Sequence, residues 1–322
     1  MKTVGFFSLK GGIGTTTLVY NLAWMYQELR IRTIALDLDP QADLTAAFLS
    51  DDRLAELHGS EKTVLGAMKP LLRREGRIRE PLLEEIAEYL ALLPGDLDLS
   101  LYEDRFAEAW SQGFEDDQDA LRVLTSFYQV ACQAAQAQGA EIVMIDVGPG
   151  VGAIHRAALL ACDFLVIPLS TNLPSFQSLR AVGLSLRKWR SAWKERLRDR
   201  ELAAPSGAME PLGYVLLQRA VVRDWHTRLA EELSKLYHHE ILGEPKGTPI
   251  EDPDPHRLAT LKQYRSLMTL AQAIRKPIFL LKPADGAIGS QTEAVQDCYR
   301  DFKELALRIA SACGIARGSE EE

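Results

Sequence analysis

The run SLKGGIGTTT, Ser8 to Thr17, lies between an apolar stretch, TVGFF, and a helical one, LVYNLAWMYQEL. Gly11, Gly12 and Gly14 let the backbone turn tightly and present its N–H groups. Leu18, Leu22, Met25 and Leu29 recur at helical spacing, which predicts a helix from about Thr16 to Leu29. A strand, a glycine turn and a helix N-terminus make an anion cradle, because the first N–H groups of a helix have no intrahelical partner. Ile13, Thr15 and Thr17 complete the loop, and the Thr16 hydroxyl is placed to hold a divalent cation. The standard phosphate-loop pattern also wants glycine at position 9 and lysine at position 15. This chain has Leu9 and Thr15. On this stretch alone, a tight turn without any ligand remains an alternative.

Outward from the loop, short apolar runs alternate with helical ones. RTIALDLDP (residues 32–40), YLALLPGD (89–96), EIVMIDVGPG (141–150), FLVIPLS (164–170), GYVLLQ (213–218) and PIFLL (277–281) read as strands. This alternation predicts an α/β fold, a mainly parallel twisted sheet of about seven or eight strands with helices on both faces. In such sheets ligands bind beyond the carboxyl ends of the strands. The loop, Asp37, Asp39 and Asp146 all fall there. The organisation expected is one domain over residues 1–315, with an insertion around 51–88 and a frayed acidic tail at 316–322.

The formal net charge of −8 argues against wholesale coating of nucleic acid but leaves room for a local basic patch. The four cysteines are far apart and the six histidines form no metal motif. No apolar run is long enough to span a membrane, and the N-terminal apolar stretch is too short for a signal peptide. The expectation is a cytoplasmic protein that does not act at membranes.

The loop and its surroundings resemble the ParA/MinD family of deviant phosphate-loop ATPases. In that family the loop reads Lys-Gly-Gly-x-Gly-Lys-Thr-Thr, followed by Asn-Leu-Ala. This chain has Lys10-Gly11-Gly12-Ile13-Gly14, then Thr15, then Thr16-Thr17, and later Asn21-Leu22-Ala23. The family pattern Asp-x-Asp-Pro-Gln appears as Asp37 to Gln41, and Asp-x-x-Pro as Asp146 to Pro149. PGDLDLS (94–100) and KPIFLLKP (276–283) also look like family segments. The likeness covers most of the chain and is weak over residues 51–88.

The resemblance implies ATP or ADP with Mg²⁺ in the site. It implies that Lys10 reaches the phosphates of a partner in an ATP-bound homodimer, and that Asp37 positions the attacking water. Thr16 and Asp146 would serve Mg²⁺, and Arg219 and Pro283 the adenine. Read without the family, Lys10 is also compatible with a solvated lysine, and the alternative for Asp37, Asp39 and Asp146 is a helix cap or turn former. Thr15 is the departure. Losing the lysine removes a charge-assisted contact of about 1.5–3 kcal/mol and charge stabilisation of the transition state. Weak or absent hydrolysis is therefore expected, so whether the chain is a working enzyme is left open.

A basic stretch, RAVGLSLRKWRSAWKERLRDRE (180–201), predicts a helix with Trp189 and Trp193 on one face. It reads either as an amphipathic surface helix or as a phosphate-contacting patch. Arg187, Lys188, Arg190, Arg223 and Arg228 are the candidates for binding DNA. The function expected is a ParA-like ATPase that dimerises with ATP, binds DNA non-specifically and positions a plasmid or chromosome partition complex. A ParB-like partner would stimulate it, and it would associate with the nucleoid. The alternatives are a non-hydrolysing nucleotide-binding switch and a positioning ATPase for a cargo other than DNA.

Overall fold

The computed structural model describes residues 1–112, 117–197, 204–218, 224–262 and 264–315. Its strands are β1 (Lys2–Phe6), β2 (Thr33–Asp37), β3 (Glu84–Ala87), β4 (Leu90–Leu93), β5 (Ile142–Asp146), β6 (Phe164–Ser170), β7 (Glu210–Gln218) and β8 (Arg257–Lys262). They form one sheet in the order β3-β4-β2-β5-β1-β6-β7-β8. Every pairing is parallel except β3 with β4, which is antiparallel at the edge. β2, β4 and β5 are buried along their whole length, as continuous apolar runs covered on both faces require.

The first half of the chain supplies helices α1 (Thr15–Glu28), α2 (Asp43–Phe48), α3 (Asp51–Leu57), α4 (Val64–Leu72), α5 (Glu103–Gln112), α6 (Gln118–Leu124) and α7 (Ser126–Gln138). The second supplies α8 (Ala153–Leu160), α9 (Leu173–Arg196), α10 (Asp224–Tyr237), α11 (Arg265–Ala273) and α12 (Ser290–Ala312). One face of the sheet packs against α1, α11 and α12, with Leu22, Met25, Tyr26, Phe302 and Leu305 in the core. The other packs against α4 to α10, with Phe106, Phe127, Leu160, Trp193 and Tyr237.

Three differences from the sequence expectation have local causes. PIFLL is not a strand: Ile278–Leu280 forms a 3₁₀ turn. Pro277 has no N–H for a ladder, and the N–H of Ile278 donates to the Asn21 side chain at 2.9 Å instead. The strand in that part of the chain is β8, whose sequence RLATLK leaves four of its six residues partly or fully exposed at the sheet edge. The 51–88 stretch contributes α3, α4 and the edge strand β3, held by the Arg53–Glu84 ion pair at 2.6 Å. Among the described residues, no helix is long and apolar enough to cross a membrane.

Candidate functional site

The loop after β1 turns through Gly12 (φ +71°) and Gly14 (φ +100°), a backbone region that costs glycine little. Gly14 stands at the N-cap of α1 and offers no side-chain cap, and the first turn of α1 carries no acid. The first N–H groups and the positive end of the helix dipole are therefore not capped from within α1. Asn21, one turn in, donates to the Thr17 carbonyl at 2.8 Å and accepts from Ile278. It fastens the segment between α11 and α12 to the loop helix.

The sheet register places Asp37 beside Asp146 and Phe6 beside Asp146, so the two acids and the loop leave the sheet at one level. Both carboxyls are fully buried. Asp37 accepts the N–H and the hydroxyl of Thr45 at 2.8 and 2.7 Å and the N–H of Asp39 at 3.2 Å. Burial still pushes its carboxyl up to about 7, against those hydrogen bonds. Asp146 has no such support: neither carboxylate oxygen receives a hydrogen bond from the protein. Burial, with the Asp37 charge added, pushes it up to about 8. The Thr16 hydroxyl and the Gly148 N–H lie near enough to pull it back in part, without reaching hydrogen-bond geometry. A buried carboxyl without a partner costs stability unless something charged compensates it. Asp146 therefore fits a divalent cation beside the loop.

Lys10 points away from its own helix and donates to Oδ1 of Asn172 at 3.3 Å, at the start of α9. Asp39 accepts the Gln41 N–H at 2.9 Å. A Cβ on Gly148 would come within 2.5 Å of the Asp39 carboxyl carbon, one on Gly150 within 2.5 Å of the His155 ring, and one on Gly152 within 2.6 Å of the Glu103 carboxylate. The alternating glycines of GPGVG are thus moulded on three ionisable side chains from three different elements. Glu103 accepts the N–H groups of Ala153, by a short contact, and Ile154, at 3.1 Å, and so caps α8 from outside. The sequence signal for this was the glycine alternation itself; the identity of the three partners was not readable.

A cavity of about 400 Å³ opens at Thr16 and Thr17, between α1, α2 and α11. Tyr20, Ala46, Ala47, Met268, Ala271 and Ile278 form much of its wall, with Gln272, Arg275 and Lys276 on its polar side. Pro283 sits at the start of a separate 3₁₀ turn, and Arg219 and Arg223 lie outside the described residues.

The basic helix divides. Trp189 and Trp193 are buried in the core, as the amphipathic reading requires. Arg190 donates to the Met209 carbonyl and Arg196 to the Trp110 carbonyl, so both guanidinium groups are committed inside the protein. Arg187 contacts Glu240 through both its carbonyl and its carboxylate. Lys188 and, on α10, Arg228 are exposed.

A family model described as an AAA domain matches residues 1–198. The chain is 28% identical over 186 residues to the virulence plasmid ParA family protein pGP5-D of Chlamydia psittaci, covering 56% of this chain and 62% of that one. It spans less than two thirds of the length of the curated relatives it matches. Among solved structures, protein DIP2308 from Corynebacterium diphtheriae superposes with a TM-score of 0.74 at 20% identity, covering 97% of this chain and 98% of that one. An ATP complex of Cyanothece McdA superposes with a TM-score of 0.65 at 16% identity, over 99% of both chains. At these identities the structural likeness shows the fold.

Proposed function

The chain belongs to the AAA-domain family of ParA/MinD-type phosphate-loop ATPases, and from that premise we propose that it is a nucleotide-dependent dimerising switch that positions a DNA partition complex. The observation that carries the nucleotide reading is Asp146: a fully buried carboxylate with no hydrogen bond, beside an uncapped helix N-terminus. Among the described residues no three His, Cys, Asp or Glu side chains converge as a metal cage. A cation here would be held by Thr16, Asp146 and phosphate oxygens, with retained waters, and that suits Mg²⁺. Bound there with ATP, Mg²⁺ would neutralise charge on the phosphates.

In this reading Gly11 to Thr17 cradle the phosphates through their N–H groups. Asp37, fixed by Thr45, orients the attacking water. Lys10 leaves Asn172 to reach the phosphates of a second copy. Among the described residues, four exposed apolar side chains follow the carboxyl ends of β4, β5 and β6: Leu97 (56%), Leu101 (75%), Val151 (53%) and Leu173 (73%). A second copy placed face to face would cover them, and that supports the dimer. DNA would be held by exposed cations such as Lys188 and Arg228, with affinity falling steeply with salt. A ParB-like partner would act on the assembled dimer.

Thr15 favours a second reading, a switch that binds nucleotide and turns over slowly or not at all. The threonine hydroxyl cannot replace a cation on the transferred phosphate. Steady-state ATP hydrolysis by this chain and by Thr15→Lys, with and without DNA, separates the two. Turnover only in the lysine variant identifies a stalled ATPase. Turnover in neither favours the switch. Absence of nucleotide binding by either chain overturns both.

A further inference from the structure

Within Ser8 to Thr17 the only cation is Lys10, and its ammonium is directed to Asn172 on the β6–α9 side of the loop. On the opposite flank, the cavity that opens at Thr16 and Thr17 is lined by two cations, Arg275 and Lys276, and one acid, Asp43. Lys276 is already held by both carboxylate oxygens of Asp285, at 2.8 and 2.9 Å, and that carboxylate also accepts the Lys282 N–H. Arg275 is differently placed. It gives one nitrogen to Oδ1 of Asp51, at 2.6 Å, and Asp51 is 91% exposed. An exposed pair of this kind exchanges readily for a stronger partner, and a guanidinium binds phosphate oxygens in a bidentate way. The segment carrying Arg275 is tied to the loop helix three residues later, where Ile278 donates to Asn21 and Asn21 donates to Thr17.

We propose that Arg275 supplies, from within the same chain, the phosphate-binding cation that Thr15 withholds. The guanidinium releases Asp51 and reaches across the cavity to the phosphate chain at the first turn of α1. The loop is then flanked by Lys10 on one side and Arg275 on the other. This inference rests on the nucleotide-site reading above.

The test is a double-mutant cycle on MgATP affinity, measured by isothermal titration calorimetry on the full chain. The four proteins are the chain itself, Arg275→Gln, Thr15→Lys and the double variant. Arg275→Gln is expected to weaken binding about tenfold or more, the size of a lost charge-assisted contact. Arg275→Lys recovers part of that loss. In the Thr15→Lys background the same Arg275→Gln change costs less than about threefold, because the loop lysine has taken over. Asp51→Asn, which removes only the resting partner, does not weaken binding. No loss from Arg275→Gln, or an equal loss in both backgrounds, overturns the proposal and leaves the nucleotide site standing. So does binding confined to the Thr15→Lys variants. Absence of binding by all four proteins overturns the nucleotide-site reading itself.

Discussion

The Asp37 carboxylate and Thr45 are joined twice: one oxygen accepts both the N–H and the hydroxyl of Thr45, at 2.8 and 2.7 Å, in a fully buried position. The same hydroxyl accepts the Gly95 N–H at 2.8 Å. One threonine thus links the ends of β2 and β4 around the acid proposed to orient water. Thr45→Val is expected to destabilise the fold by about 1–3 kcal/mol, the cost of leaving buried polar groups unsatisfied. Urea unfolding monitored by circular dichroism measures it; a change below about 0.5 kcal/mol would show that the link carries no stability.

Asn21 makes the same kind of connection over a longer reach. Replacing it by leucine, similar in size but without polar atoms, strands the Ile278 N–H and loosens the α11–α12 segment from the loop helix. The expected loss is about 1–3 kcal/mol, with increased amide exchange at Ile278. Unchanged protection at that amide would contradict this role.

Gly148 sits at φ +73°, with the Asp39 carboxyl filling the space a side chain would need. Gly148→Ala therefore combines backbone strain with a clash. It is expected to cost about 2 kcal/mol or more and to weaken nucleotide binding. Gly139 has a similar φ of +62° with open space around it. Gly139→Ala, carrying strain alone, should cost about 1 kcal/mol, and comparing the two melting temperatures isolates the Asp39 contact.

His238 lies between two carboxylates, Glu244 at 3.0 Å and Asp254 at 3.1 Å. Burial alone would lower its pKa, but the two acids outweigh burial and raise it above 6.5. A raised histidine stabilises the fold fully below its unfolded value and loses that contribution as pH rises through the folded one. The stability difference between the chain and His238→Gln should therefore be largest below about pH 6 and shrink above pH 6.5. Asp254, bonded also to Ser234 and Tyr214, is held down at about 2 despite its burial, so its own contribution fades only in strong acid. Denaturant midpoints of both proteins from pH 5 to pH 9 test this; a difference independent of pH refutes it.

Leu101 and Leu173 are exposed beside the proposed dimer face. Leu101→Glu and Leu173→Glu should change stability by no more than about 0.5 kcal/mol and abolish ATP-dependent self-association. Light scattering coupled to size exclusion reads the outcome. Intact ATP-dependent dimers in both variants would place the interface elsewhere.

The core of the fold was legible because its signals are local. Continuous apolar runs, the glycine turn at 11–14 and the acids at the ends of β2 and β5 are each set by residues within a few positions of one another. They sufficed for the sheet, for the glycine turn that opens α1 and for the level at which Asp37 and Asp146 emerge. The edge strands β3 and β8 were not legible, because a half-exposed strand carries charged residues that dilute its apolar pattern. PIFLL was misread because an apolar run does not say whether its N–H groups go to a neighbouring strand or, as at Ile278, to a side chain 257 positions earlier.

The basic helix shows the same division. Composition gave a row of cations, but packing assigned Arg190 and Arg196 to backbone carbonyls and left Lys188 in solvent. The sequence by itself determined that a glycine turn opens a helix after the first strand and that threonine stands where the phosphate-loop pattern has lysine. Only the tertiary structure decided which side chains surround it, because Thr45, Glu103, His155 and Arg275 reach the site through the folding of distant segments. A contact made across the fold leaves no periodicity in the chain, so nothing in the order of the residues announces it.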